Sequence, residues 1–234
     1  MNKTIESWRG GLIVSCQAPA NSPLNKPETI AAFAETAAVG GAVGVRIDAP
    51  ENIRAVRKRV NVPVLGIYKM VFNSSDVYIT PTFAAAREIV EAGADIIALD
   101  ATRRARPGGE TLETLVARVR AELKQPVMAD VSLFDEGLYA AEMLGVDLIS
   151  TTLSGYTAET KSLFEPDFEL VERLAKKLTL PIVCEGRLRS TDDVRRAFDC
   201  GAFVVVVGGA ITGIDSLVQK FVGATPRGPA NAVA

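Results

Sequence analysis

Short apolar runs rich in β-branched residues return along this chain at a nearly even beat. They occupy 12–17 (LIVSCQ), 42–47 (AVGVRI), 64–69 (VLGIYK), 95–100 (DIIALD), 126–132 (PVMADVS), 147–153 (DLISTTL), 181–186 (PIVCEG) and 203–209 (FVVVVGG). Their starts lie about 27 residues apart. Most have too few polar positions for a strand with one wet face, so they fit a sheet covered on both sides. Helical patterns fill the gaps. Pro27–Val39 opens on a proline, and Pro81–Ala92 can close on Gly93. Glu110–Lys124 repeats Leu112, Leu115, Val116, Val119 and Leu123 at helical spacing. Phe134–Leu144 ends in Gly145, Asp167–Leu178 follows the same plan, and Thr191–Cys200 starts at a Ser190 or Thr191 cap and stops at Gly201. Eight such β–α units in 234 residues predict a single-domain (β/α)8 TIM barrel. A doubly wound open sheet would more often place GxGxxG after its first strand, where this chain has QAPANSPLN. The expected barrel spans residues 1–225, with 226–234 a flexible tail.

Composition removes several classes of function. The chain has no histidine, which eliminates imidazole acid–base chemistry and every His-containing metal motif. It has 26 basic and 28 acidic side chains, so charge gives no case for nucleic acid or an acidic membrane surface as partner. Cys16, Cys184 and Cys200, odd in number and widely spaced, fit a reducing compartment better than a disulfide framework. The opening MNKTIESWRGGLIVSC has no signal-type apolar region, and no run approaches the ~20 residues that span a bilayer. The expected location is cytoplasmic.

Barrel enzymes draw their chemistry from the C-terminal ends of the strands. The polar residues there are Gln17, Arg46, Asp48, Lys69, Asp100, Asp130, Ser132, Thr151, Thr152, Glu185 and Arg187. Any one of them could serve the scaffold through a hydrogen bond or salt bridge, but eleven on one rim point to a site. Lys69 ends the third strand, as an electrostatic clamp or as a base with a lowered pKa. Glu185 ends the seventh, where a partly desolvated carboxyl can stay protonated and act as an acid. Strands three and seven face each other across a ring of eight. Two groups so placed can take a proton from one face of a carbon and return one to the other. Asp130 lies between those strands, able to hold Lys69 charged or to orient a hydroxyl. CEGR (184–187) and VVVGGAI (205–211) put Gly186, Gly208 and Gly209 at the last two strand ends, where exposed N–H groups suit a phosphate. The residues alone leave open a Schiff-base lysine, and a hard cation held by Asp48, Asp100, Asp130 and Glu185.

The stretches GGLIVSCQ (10–17), SPLNKPE (22–28), VRI (45–47), GIYK (66–69), AGADIIALD (92–100), TTLSGYT (151–157), EGR (185–187) and VGGAIT (207–212) cover almost the whole chain in order. Together they resemble the N-acetylmannosamine-6-phosphate 2-epimerases, also called N-acylglucosamine-6-phosphate 2-epimerases. That resemblance implies a barrel enzyme that interconverts N-acetylmannosamine 6-phosphate and N-acetylglucosamine 6-phosphate in sialic acid degradation, with no metal and no other cofactor. It implies Lys69 and Glu185 as the catalytic pair, and Gln17, Arg46 and Asp130 as substrate-positioning residues. Gly186, Gly208 and Gly209 become the phosphate cradle. The family commonly has an arginine after its AIT motif, where this chain has Gly213. Arg187 or a neighbouring-loop residue is then expected to compensate, or phosphate to bind more weakly. NSSDVYITP (73–81) also departs from the family pattern. The alternatives are another phosphosugar barrel enzyme (an aldolase or a pentose-phosphate-type epimerase) and a sugar-phosphate-binding protein without turnover. The small-residue-rich segment FAETAAVGGAV (33–43) suggests close packing against a second copy, as a homodimer.

Overall fold

A computed structural model describes residues 2–228. Eight parallel strands close into a barrel in sequence order: β1 (Leu12–Cys16), β2 (Gly44–Asp48), β3 (Val64–Ile67), β4 (Ile96–Asp100), β5 (Val127–Asp130), β6 (Leu148–Ser150), β7 (Ile182–Glu185) and β8 (Val204–Val207). Closure is made by β8 pairing back to β1, with Leu12 beside Val205 and Val14 beside Val207. This is the (β/α)8 barrel that the spacing of the apolar runs predicts. Several strands stop before the runs do. Ser132, Thr152 and Gly208 have already left the ladder and belong to the loops above it.

The helices are α1 (Lys3–Glu6), α2 (Pro27–Val39), α3 (Pro50–Arg57), α4 (Phe83–Glu91), α5 (Leu112–Arg118), α6 (Phe134–Tyr139), α7 (Phe168–Lys177), α8 (Thr191–Asp199), α9 (Gly209–Thr212) and α10 (Ile214–Gly223). Ser190 caps α8 by accepting from the Asp193 amide, and Gly93 and Gly201 take φ +109° and +94° just past α4 and α8. Two of the sequence patterns, Glu110–Lys124 and Phe134–Leu144, are not uniform helices. α5 and α6 each widen into a π-helical turn, at Val119–Leu123 and Ala140–Leu144. These end at Lys124 and Gly145, both left-handed. No helix among the described residues is long and apolar enough to cross a membrane. Of the expected tail, residues 229–234 lie outside the described residues.

Two apolar layers follow from the two-residue alternation of each strand. Outward residues such as Val45, Ile47, Val127 and Ala129 pack under the helices. Inward residues such as Ile13, Leu65, Ile67, Ile96, Met128, Leu148, Val183 and Val206 fill the barrel. Ile5 and Trp8, from α1 and the turn after it, join the inner layer, and both are buried. The same alternation turns polar toward the strand ends. Ile13 is followed by Ser15 and Gln17, Ile67 by Lys69, Met128 by Asp130, and Val183 by Glu185. The barrel thus becomes a polar cup at one end.

Candidate active site

A cavity of about 680 Å³ opens at that end. Lys69 and Glu185 both line it, entering from β3 and β7, which stand opposite each other in the ring. Arg46 and Gln17 line it as well.

Arg46 organises the floor. Its side chain is buried, and its Nη2 donates to Asp130 Oδ2 at 2.6 Å. Its Nη1 donates to Glu185 Oε2 at 2.7 Å and to Asp130 Oδ1 at 3.3 Å. Burial works against the charge, but Asp130 and Glu185 more than offset it, and Arg46 is held protonated. The Thr152 hydroxyl lies 2.9 Å from Asp130 Oδ1 and 3.0 Å from Glu185 Oε2, bridging the two carboxyls. Burial, then the neighbouring Asp130 charge, push Glu185 up; Arg46, Thr152 and Lys69 pull it down. The balance raises its pKa to about 7, so near neutrality it can both give and accept a proton.

Lys69 stands on the other wall. Its amide donates to Asp48 Oδ1 at 2.8 Å, and a bridge to Ile79 secures the backbone around it. Its Nζ donates to Gln17 Oε1 at 2.5 Å, and Gln17 Nε2 in turn donates to Ser15 Oγ at 2.7 Å. The side chain is accessible from the open mouth, yet the surrounding rim strips enough water to pull its pKa below the usual lysine value. Asp48 resists that shift and Arg46 adds to it.

Gly186, Gly208 and Gly209 line the same cavity from the ends of β7 and β8. Gly186 has φ +115° and is followed by Arg187 at +59°, a turn after β7 that glycine makes possible. After β8, the Gly208 carbonyl accepts from the Ile211 and Thr212 amides at 2.8 and 2.9 Å. The first-turn N–H groups of Gly209 and Ala210 have no carbonyl partner of this kind, and both residues line the cavity. A Cβ on Gly209 would meet nothing within 4 Å, whereas one on Gly208 would come within 3.2 Å of Ser15 Cβ.

Two residues stand differently from their sequence expectation. Asp130 is 0% exposed and does not line the cavity; it contacts Arg46 and Thr152 rather than Lys69. Its reach toward a substrate therefore passes through those two side chains. Arg187 lines the cavity, but its guanidinium lies 4.4 Å over the Tyr156 ring and donates to the Ser154 carbonyl at 2.9 Å. It is committed to the loop after β6. Among the remaining rim residues, Asp100 is tied to Arg104 and Thr102, and Ser132 to Thr157 and Thr160. These pairs build loops.

The family model described as "Putative N-acetylmannosamine-6-phosphate epimerase" matches residues 30–227. A relative from Synechococcus elongatus, described as "Putative N-acetylmannosamine-6-phosphate 2-epimerase", is 49% identical over 94% of this chain and 96% of its own. Another so described, from Thermosynechococcus vestitus, is 50% identical over 92% of this chain and 93% of its own. This chain belongs to the N-acetylmannosamine-6-phosphate epimerase family. A solved structure described as the N-acetylmannosamine-6-phosphate 2-epimerase from Clostridium perfringens superimposes with a TM-score of 0.91 at 38% identity, over 96% of this chain and 97% of that one.

Within this epimerase-family barrel, Gly213 joins α9 to α10 and lines the cavity. A Cβ there would lie 2.6 Å from the Gly209 carbonyl oxygen, so no side chain fits without a backbone shift. Thr152 and Tyr78 also line the cavity. Thr152 stood among the rim residues of the sequence, but nothing in TTLSGYT distinguishes the bridging hydroxyl from its neighbour Thr151. Tyr78 lies in NSSDVYITP, far from any strand end in sequence, and reaches the site because that segment folds back along Lys69.

Proposed function

We propose that this protein interconverts N-acetylmannosamine 6-phosphate and N-acetylglucosamine 6-phosphate by moving protons at C2 of the open-chain sugar. The observation that carries this reading is the placement of Lys69 and Glu185 on opposite walls of one cavity, each with its pKa moved toward neutrality. Opening the sugar ring sets an aldehyde beside C2 and acidifies its proton. Lys69, when neutral, takes that proton and leaves an enolate. Glu185, when protonated, delivers a proton to the other face, and in the reverse direction the roles exchange. Both Arg46 nitrogens that reach carboxylates are already engaged, so the ammonium formed on Lys69 balances the enolate charge. Asp130, Thr152 and Gln17 act by positioning. Gly186, Gly208 and Gly209 receive the phosphate, which anchors the far end and fixes C2 between the two walls.

The reaction as proposed uses neither metal nor other cofactor. Of the four carboxylates that a divalent ion would need, Asp130 and Glu185 are spent on Arg46 and Thr152, Asp100 on Arg104, and Asp48 accepts from the Lys69 amide. The reading places the enzyme in the cytoplasm, in sialic acid degradation. It includes a homodimer, supported by the apolar surface left on α2, where Val39 is 86% exposed, and on α10, where Phe221 is 71% exposed. The test is incubation of the purified protein with N-acetylmannosamine 6-phosphate and a chelator, followed by NMR. Growth of the gluco epimer supports the reading; an unchanged substrate spectrum with a folded protein contradicts it.

A further inference from the structure

We propose that Lys220, on α10, supplies the positive charge that the phosphate cradle otherwise lacks, and so sets the preference for a phosphorylated sugar. This rests on the sugar-phosphate reading above. A phosphate monoester carries nearly two negative charges at neutral pH, and backbone N–H groups offset only part of that. The cradle of Gly186, Gly208 and Gly209 contributes no charged side chain, and Gly213 has no room for one.

Five cationic residues line the cavity: Arg46, Lys69, Arg187, Arg189 and Lys220. Four are engaged. Arg46 holds Asp130 and Glu185, and Lys69 holds Gln17. Arg187 stacks on Tyr156 and bonds the Ser154 carbonyl. Arg189 pairs with Glu165 at 3.3 Å and donates to the Phe164 carbonyl at 3.1 Å. Lys220 has no ion pair and no side-chain hydrogen bond among the described residues.

The chain runs from the cradle directly into the helix that carries Lys220. Ser216, Leu217 and Lys220 share one helical face and all line the cavity. Side chains on a helix lean toward its N-terminus, and α10 starts directly after the α9 turn that carries the cradle. The Ser22 hydroxyl donates to Asp215 at 3.0 Å, fixing the first turn of α10 to the loop after β1.

The experiment compares Lys220→Met and Lys220→Arg with the unaltered protein, by calorimetric titration of inorganic phosphate and by steady-state kinetics. Lys220 is exposed, so both variants should melt with the parent. Lys220→Met is expected to weaken phosphate binding and raise KM for N-acetylmannosamine 6-phosphate by about tenfold or more. The preference for the phosphorylated over the unphosphorylated sugar should shrink by the same factor, and Lys220→Arg should restore most of it. Unaltered phosphate affinity and KM in Lys220→Met would overturn the assignment. The phosphate titration does not require turnover, so it judges Lys220 even if the epimerase reading fails on its own test.

Discussion

Arg46 donates to Glu185 across 2.7 Å, and this hydrogen bond ties the proposed acid of the reaction to the buried centre of the barrel. The Glu185 side chain is only 12% exposed, and that of Asp130 beneath it is fully buried. Two carboxyls in so dry a place stay compatible because one guanidinium serves both.

Removing that guanidinium by Arg46→Met should therefore be costly in a pH-dependent way. The folded-state pKa values of Glu185 and Asp130 are already raised, and both would rise further. A carboxyl raised on folding favours the native state while protonated and opposes it once pH climbs past the ordinary carboxylate range toward the raised value. Denaturant titration should find a loss of about 3–5 kcal/mol at pH 8 and a smaller one at pH 5. An equal loss at both would mean that the pair contributes no charge burial.

Lys69→Ala and Glu185→Gln each remove one proton carrier. Turnover should fall by about 10²–10⁴-fold in both directions for each. Lys69 is exposed at the mouth, so its loss should change stability by no more than about 0.5 kcal/mol. Near-normal turnover in Lys69→Ala would remove the base from the account.

The pH profile follows from counting protons. Neutral Lys69 with protonated Glu185, and charged Lys69 with ionised Glu185, hold the same number of protons, so both directions need one proton on the pair. Activity should rise as pH passes about 7, where Glu185 loses its extra proton, and fall again as Lys69 loses its own at a value below 10.5. A profile flat from pH 5 to 8 would contradict the assignment of Glu185.

Thr152→Val tests the bridge between the carboxyls. Thr152 pulls the Glu185 pKa down, so its loss should move the acid limb upward in pH while turnover falls by about tenfold. An unmoved limb with reduced stability alone would show a purely structural hydroxyl.

The barrel was legible because its signal is repeated. Eight runs at even spacing, with Gly93, Gly145 and Gly201 closing helices between them, leave little freedom of topology. Lys69, Glu185 and the glycines were visible for a related reason, since a strand end has a known place in the barrel. What the sequence hides is depth and partnership. Asp130 and Lys69 both follow apolar strand residues, yet Asp130 is sealed under Arg46 while Lys69 is open. Arg187 reads as a phosphate ligand until Tyr156, thirty-one positions earlier, is seen beneath it. Lys220 gives no signal on a strand-end reading, because it arrives on a helix after the barrel has closed.

On the proposed mechanism, protons leave and arrive at C2 on opposite faces through two different residues. The direct measurement is early-time NMR and mass analysis of N-acetylmannosamine 6-phosphate turned over in D₂O with chelator present. Two opposed carriers predict that the first gluco product carries one deuterium at C2 while remaining substrate is still largely unlabelled. Product that keeps its original C2 hydrogen would contradict the account, since one group would then be returning the same proton.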